Sequence, residues 1–257
     1  MTEHVVVTDH QGVRTIRMNR PDKKNAITFA MYGAMTRALR QGEADPAIRV
    51  HLLAGLPGCF TAGNDLGDFL TAGDVASSPA AEFLRVLSAA AKPVVVAVGG
   101  LAIGIGVTML LHCDLVYAAE DAVLQLPFIN LALVPEGGSS LLLPKLMGHQ
   151  RAAELLMLGE PFDAATAHGL GLVNALYPMA ELERTAADRA AVLAAKPAQA
   201  LAATKALLRL AEDTVSHRLG VEFTAFGRAL RSAELREAVA AFQEKRPPNF
   251  HPAPSQG

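Results

Sequence analysis

An α/β fold with helices covering both faces of its sheets is what this sequence predicts, on three observations. Short β-rich runs alternate with helical patterns of about ten residues. The runs are almost uniformly apolar, as strands lying between helices must be. Strand signals stop near Leu176, beyond which every pattern is helical. With 257 residues, 51% hydrophobic and 19% charged, the chain can fill one large core, and neither disorder nor a fibrous repeat fits that composition. The expected organisation is a core carrying the site over residues 1–176 and a helical region over 177–257.

Each element has a local reason. Val5 to Thr8 and Val13 to Met18 are β-rich, and Asp9-His10-Gln11-Gly12 between them is a polar connection ending in glycine, so the pair reads as a hairpin. After Pro21 and the basic pair Lys23-Lys24, Thr28 can cap a helix in which Met31, Met35 and Leu39 recur at helical spacing. Val50 to Ala54 is a strand closed by Gly55-Leu56-Pro57-Gly58, and a helix around Glu82 to Ala90 follows. The β-branched run Val94 to Val98 is a buried strand broken by Gly99-Gly100, after which comes a helix near Gly106 to His112. Leu115 to Ala118 and Val123 to Leu126 are two more short strands. Helical patterns then cover Ala180 to Ala195, Ala198 to Leu210, Ser216 to Leu230 and Ala233 to Gln243. Leu219, Phe223, Phe226 and Leu230 form an apolar face that so short a helical tail would struggle to cover alone, which points to packing on a neighbouring subunit. The Pro-rich end, Pro247 to Gly257, reads as a loose tail.

Several function classes fall away. Lys+Arg 23 against Asp+Glu 25 leaves a formal charge of -2, so there is no basic field to hold a nucleic-acid backbone. Two cysteines, with no CxxC or HExxH, argue against a disulfide scaffold or a zinc site and fit a reducing cytoplasm; no metal is expected. The start, MTEHVVVTDH, lacks the basic and apolar stretches of a secretory signal. Pro93 to Leu111 carries no charge and is long enough for a membrane span, but the Gly99-Gly100 break favours strand, turn and helix.

Glycine motifs come next. Gly104-Ile105-Gly106 begins like a dinucleotide fingerprint, yet Met109 stands where the third glycine belongs and no acidic residue follows at ribose distance. No GxxxxGK[ST] exists, and Gly137-Gly138-Ser139-Ser140 is not a nucleophile elbow. Gly63, Gly99, Gly100, Gly104 and Gly106 lie at turns between strand and helix patterns. They either only shape tight turns or let a ligand reach backbone N–H groups at two places that together could make an oxyanion hole.

The blocks Phe60-Thr61-Ala62-Gly63-Asn64-Asp65-Leu66, Gly99-Gly100-Leu101-Ala102-Ile103-Gly104-Ile105-Gly106 and Cys113-Asp114-Leu115 resemble the signatures of the enoyl-CoA hydratase/isomerase family, the crotonase superfamily. Further matches are Asn19-Arg20-Pro21, Asn25-Ala26, Pro135-Glu136-Gly137-Gly138, Gly169-Leu170-Gly171-Leu172-Val173 and Phe242-Gln243-Glu244-Lys245-Arg246, so the likeness runs almost end to end. It implies a crotonase-like spiral of ββα units, a helical C-terminal trimerisation region giving a homotrimer or dimer of trimers, and an acyl-CoA thioester as substrate. CoA then belongs to the substrate and no separate cofactor is needed. The resemblance also implies that the thioester oxygen sits between the backbone N–H groups of Asn64 and Ile105, where side-chain identity matters little. Donors fixed on the oxygen of a forming enolate are each worth roughly 3 kcal/mol of barrier.

Carboxylates divide the family. The two positions at which hydratases carry water-activating glutamates align with Thr108 and Phe128, neither of which can act as a base at neutral pH. A third position, at which many hydratases have glycine and several monofunctional enoyl-CoA isomerases of the family place their only glutamate, is occupied here by Glu136. One carboxylate reaching C2 and C4 of a 3-enoyl thioester can move the proton, provided apolar walls raise its pKa; Leu126, Phe128, Leu131, Leu133 and Val134 flank it in sequence. The alternative role for Glu136 is a helix N-terminal acid opposing the dipole of Gly137 to Leu146, worth up to about 1 kcal/mol.

By the same resemblance Lys24, Ala26, Ala62, Gly63, Asp65, Leu66, Gly104, Leu126, Phe128 and Leu133 contact substrate, with Asp65 ordering the loop near the pantetheine and Lys23 and Lys24 near the CoA phosphates. Solvation of a surface is the other reading of the two lysines. His112, one helical turn beyond Thr108, is either hydrogen-bonded core or a neighbour of the same space; Asp114 is structural, and Cys59 an inert thiol. The resulting expectation is a Δ3 to Δ2 enoyl-CoA isomerase. Its alternatives are a cyclic or branched acyl-CoA isomerase, a weak hydratase, or an inactive member that binds acyl-CoA or RNA.

Overall fold

The computed structural model describes residues 4–65, 67–68, 75–209, 224, 226, 228–229 and 232–250. Strands β1 (Val5–His10) and β2 (Val13–Met18) form the expected hairpin, paired from Val5↔Met18 to His10↔Val13. The strands run further than the sequence suggested, so the turn is only Gln11-Gly12, both at positive φ; that two-residue geometry matches the right-handed twist of the hairpin. Helix α1 (Phe29–Ala44) starts where Thr28 Oγ1 accepts the Met31 N–H at 3.2 Å.

Beyond the hairpin the chain repeats strand, strand and helix. β3 (Val50–Ala54), β5 (Val94–Val98), β7 (Leu115–Ala119) and β10 (Ala175–Tyr177) add in parallel to the hairpin, giving a six-stranded sheet ordered β1-β2-β3-β5-β7-β10. Between them β4 (Cys59–Thr61), β6 (Leu101–Ile103), β8 (Val123–Gln125) and β9 (Pro161–Asp163) build a second sheet in that order. Each turn of the chain thus contributes one strand to each sheet, which makes a spiral. The sequence reading missed β4, β6, β9 and β10 as strands, because three residues carry no period of their own and only pairing across tens of residues defines them.

Helices α2 (Pro79–Ala89), α3 (Ile105–Thr108), α4 (Ser139–Met147), α5 (His149–Leu158), α6 (Ala164–Gly169), α7 (Met179–Ala194), α8 (Ala198–Leu208) and α9 (Ala233–Gln243) fill the remaining layers. α3 continues into a 3-10 turn over Met109–His112, so the helix expected near Gly106 to His112 is real but tightens halfway. β3 and β5 are buried along their whole length; the run of β5 is uninterruptedly apolar, whereas β3 carries one buried polar residue, His51, whose Nε2 lies 3.0 Å from Glu43. Among the described residues no strand follows Tyr177 and no helix is long and apolar enough to cross a membrane. Leu219, Phe223 and Leu230 of the expected apolar face lie outside the described residues, while Phe226 is exposed.

Candidate active site

The site grows from the C-terminal ends of β4 and β6. These strands are parallel neighbours with Thr61 opposite Ala102, so Asn64 and Ile105, each three residues further on, leave the sheet side by side. On the other side of the Asn64 segment lies Ile27, which donates to Gly63 O at 2.8 Å and accepts from Asp65 N at 2.9 Å. A parallel bridge uses the flanking residues' groups, so the N–H of Asn64 itself points away from Ile27, toward the β6 side. Ile105 is the first residue of α3, where N–H groups have no partner within the helix. Its peptide is aimed by Gly104, whose φ of 56° and ψ of -113° suit only glycine. The two segments touch so closely that a Cβ on Gly106 would come within 2.6 Å of Thr61 Cγ2.

Glu136 reaches α3 from a loop before α4. Its Oε1 accepts the Thr108 hydroxyl, from the last residue of α3. Burial pushes its carboxyl above the ordinary glutamate range, and the Thr108 hydrogen bond offsets part of that rise. The next residue, Gly137, packs on Thr108, and its carbonyl accepts from His112 Nε2 at 2.8 Å. A carbonyl only accepts, so the Nε2 carries the proton; burial pushes the His112 pKa down, against the Gly137 hydrogen bond. His112 therefore holds the Glu136 loop through the main chain.

One expectation needs correcting. Leu126 and Phe128 are buried, but Leu131, Leu133 and Val134 are 56%, 36% and 80% exposed and do not wall in the glutamate. Elements distant in sequence reach the same place: Thr108 on α3 donates to the Glu136 carboxylate, Leu84 on α2 lies beside Gly137, and the phenol of Tyr32 on α1 feels the Glu136 charge. Tyr32, fully buried, also donates to Asn64 Oδ1 at 2.5 Å. Nothing in the sequence reading singled it out; its one signal was a hydroxyl among the Met31, Met35 and Leu39 stripe.

The other site candidates lie around the same strand ends. Lys24 is exposed at φ 48° and its carbonyl accepts from Ala62 N at 2.9 Å. Ala26 O and an Asp65 carboxylate oxygen share the Arg20 guanidinium, at 2.9 Å and 2.7 Å. That hydrogen bond holds the Asp65 pKa below the usual carboxylate range, and Asp65 in turn accepts from Gly67 N at 3.0 Å, ordering the loop. Leu66 lies outside the described residues. Asn25, fully buried, ties the two stretches together by donating to the carbonyls of Cys59 and Phe60, both at 3.1 Å. Asp114 accepts from Val94 N at 2.7 Å and from the buried Lys205 at 2.6 Å, a contact between core and C-terminal helices. Cys59 donates to Lys24 O and burial raises its pKa, while that of Cys113 is pushed up to about 12.

The class of the protein is defined by its fold, a two-sheet spiral in which the segments after β4 and β6 run side by side and a partly desolvated carboxylate lies against α3. Comparison with known proteins identifies the family. Residues 8–253 match the family model described as enoyl-CoA hydratase/isomerase. The 1,2-epoxyphenylacetyl-CoA isomerase of Escherichia coli (strain K12) is 35% identical, the match covering 97% of this chain and 99% of that one. The enoyl-CoA delta isomerase 2 of Rattus norvegicus is 34% identical over 95% of this chain, which spans 64% of that relative's length. A "Probable enoyl-CoA hydratase" of Rhodobacter capsulatus is 32% identical over 93% of this chain and 95% of its own. Among solved structures, a Magnetospirillum magneticum AMB-1 protein provisionally assigned as an enoyl-CoA hydratase/carnithine racemase superposes with a TM-score of 0.96 at 50% identity, covering 98% of this chain and all of the other. The chain belongs to the enoyl-CoA hydratase/isomerase family and has the crotonase fold.

Proposed function

We propose that this chain is an isomerase that moves the double bond of an acyl-CoA thioester from Δ3 to Δ2, with Glu136 as the single proton shuttle. The observation that carries the reading is the contact between Glu136 and Thr108: the carboxylate sits against α3, whose first N–H belongs to Ile105, while Thr108 and Phe128 occupy the positions that resemble the hydratase glutamates. In the reaction, ionised Glu136 takes a proton from C2 of the 3-enoyl thioester, and the C2–H electron pair delocalises through the thioester carbonyl onto its oxygen. The N–H groups of Asn64 and Ile105 hold that negative charge. Protonated Glu136 then gives the proton to C4 as the dienolate collapses to the 2-enoyl product. Burial suits the carboxyl to both halves, since a raised pKa makes it a better base when ionised and brings its protonated form closer to the working pH.

No cofactor enters these steps, because CoA arrives as part of the substrate. The exposure of Leu133 and Val134 beside the Glu136 loop suits an acyl chain or a second copy of the chain lying over them. The helical region beyond Leu176 would supply a trimer surface, and the reducing cytoplasm suits the two free thiols. A second reading, isomerisation of a cyclic acyl-CoA by the same groups, is favoured by the likeness to the 1,2-epoxyphenylacetyl-CoA isomerase. Incubation with a 3-enoyl-CoA and, separately, with a 2-enoyl-CoA tests the proposal. The expected result is conversion of the first to the 2-enoyl product. A 3-hydroxyacyl-CoA formed from the second at comparable rate would contradict it.

A further inference from the structure

We propose that Tyr32 is a positioning residue: its phenolic O–H grips the Asn64 side chain and thereby fixes the direction of the Asn64 backbone N–H. The inference rests on the isomerase reading, in which that N–H receives the enolate charge. It also reverses the expectation that the side chain at position 64 is immaterial.

The geometry is specific. Tyr32 is fully buried in α1, and its ring packs on Phe83 of α2 with centroids 5.6 Å apart. Its O–H donates to Asn64 Oδ1 at 2.5 Å. Asn64 follows Gly63, which is held at φ 92°. A glycine gives the intervening peptide little steric resistance to rotation, and Ile27 anchors Gly63 O and Asp65 N but not the N–H of Asn64. Gripping the Asn64 side chain from the rigid helix removes that freedom. A donor aimed within a few tenths of an ångström is what an oxyanion site requires. The phenol stays a donor at any working pH, because burial and then the Glu136 charge push its pKa well above the ordinary tyrosine value.

A double-mutant cycle of Tyr32→Phe, Asn64→Ala and the pair tests this in the intact protein. Turnover of a 3-enoyl-CoA gives kcat and KM. Bound acetoacetyl-CoA, whose enolate absorbs in the near ultraviolet, reports stabilisation of the oxyanion without turnover. Each single change is expected to lower kcat and the enolate signal about tenfold with KM within about twofold, and the double variant to be no worse than either single, since one interaction is lost in all three. An enolate signal unchanged in Tyr32→Phe, or losses that multiply in the double variant, would overturn the proposal. Should Tyr32→Phe not fold, Asn64→Ala decides alone, and a wild-type signal there overturns it. Failure of the isomerase reading is seen separately, as turnover retained by Glu136→Gln, while the acetoacetyl-CoA cycle still reports on Tyr32.

Discussion

Glu43 and Glu136 are both half-buried glutamates that face opposite fates. Burial pushes the pKa of each up. Around Glu43 that push is overcome by His51, whose Nε2 lies 3.0 Å away, and by the N–H groups of Ala91 and Lys92, so its carboxyl ends below the ordinary range. Among the described residues Glu136 has a single partner, the hydroxyl of Thr108, and burial prevails. A carboxylate with three partners is committed to its charge and ties α1 to the segment before β5. One with a lone partner remains able to take up a proton and release it. The difference is supplied by the neighbours, since the two residues are chemically identical.

The sharpest way to break this comparison is to remove each charge in turn. Glu136→Gln should reduce isomerisation by at least about a hundredfold, the usual worth of a general base, measured as 2-enoyl-CoA formation. Its effect on the fold should run the other way. A folded-state pKa above the unfolded value stabilises the protein below the unfolded pKa and is lost as pH rises through the folded value. At neutral pH the ionised, desolvated carboxylate is therefore a cost, and the variant should unfold at no lower denaturant concentration than wild type. Glu43→Gln should leave turnover within about twofold but cost about 2 kcal/mol of stability, because buried His51 and two amides lose a charged acceptor. Glu43 has the depressed pKa, so its stabilisation is present above the unfolded value and lost as pH falls through the folded one; denaturation midpoints taken down to acid pH should show that loss in wild type and not in the variant.

Gly104→Ala sharpens the account of the oxyanion donors. A Cβ there meets nothing within 4 Å, so any effect is conformational. Forcing a non-glycine residue into that φ/ψ costs about 1–3 kcal/mol and should turn the Ile105 N–H, lowering kcat about tenfold or more. Thr108→Val removes the hydrogen bond that holds the Glu136 pKa down, so the acid limb of the kcat/KM profile should move to higher pH. Lys24→Ala should act least, raising KM for the CoA thioester a few-fold with kcat unchanged, as befits an exposed charge.

How much of this was legible in the chain depends on the range of the forces. The Thr28 cap and the Val94–Val98 strand depend on neighbours within a few residues, and their positions matched the sequence reading. Of the second sheet only β8 was legible: Cys59–Thr61 is a strand only because Leu101–Ile103 lies beside it. At the candidate site, the ordered blocks of residues singled out Asn64, Ile105 and Glu136, the last of which the fold brings against α3. The environment of Glu136 was misread, since nearness in sequence suggested Leu131, Leu133 and Val134, whereas the loop turns them outward and Thr108, Leu84 and Tyr32 arrive from three helices. Tyr32 and Asn64 are 32 residues apart, and no periodicity links them.

The path of a label tests the central claim most directly. A 3-enoyl-CoA deuterated at C2, converted in ordinary water under single-turnover conditions and read by mass spectrometry, should yield 2-enoyl-CoA with part of the deuterium at C4, carried there by the Glu136 carboxyl. A product bearing no deuterium at C4, or one that has gained the elements of water, would contradict a single carboxylate moving one proton between two carbons.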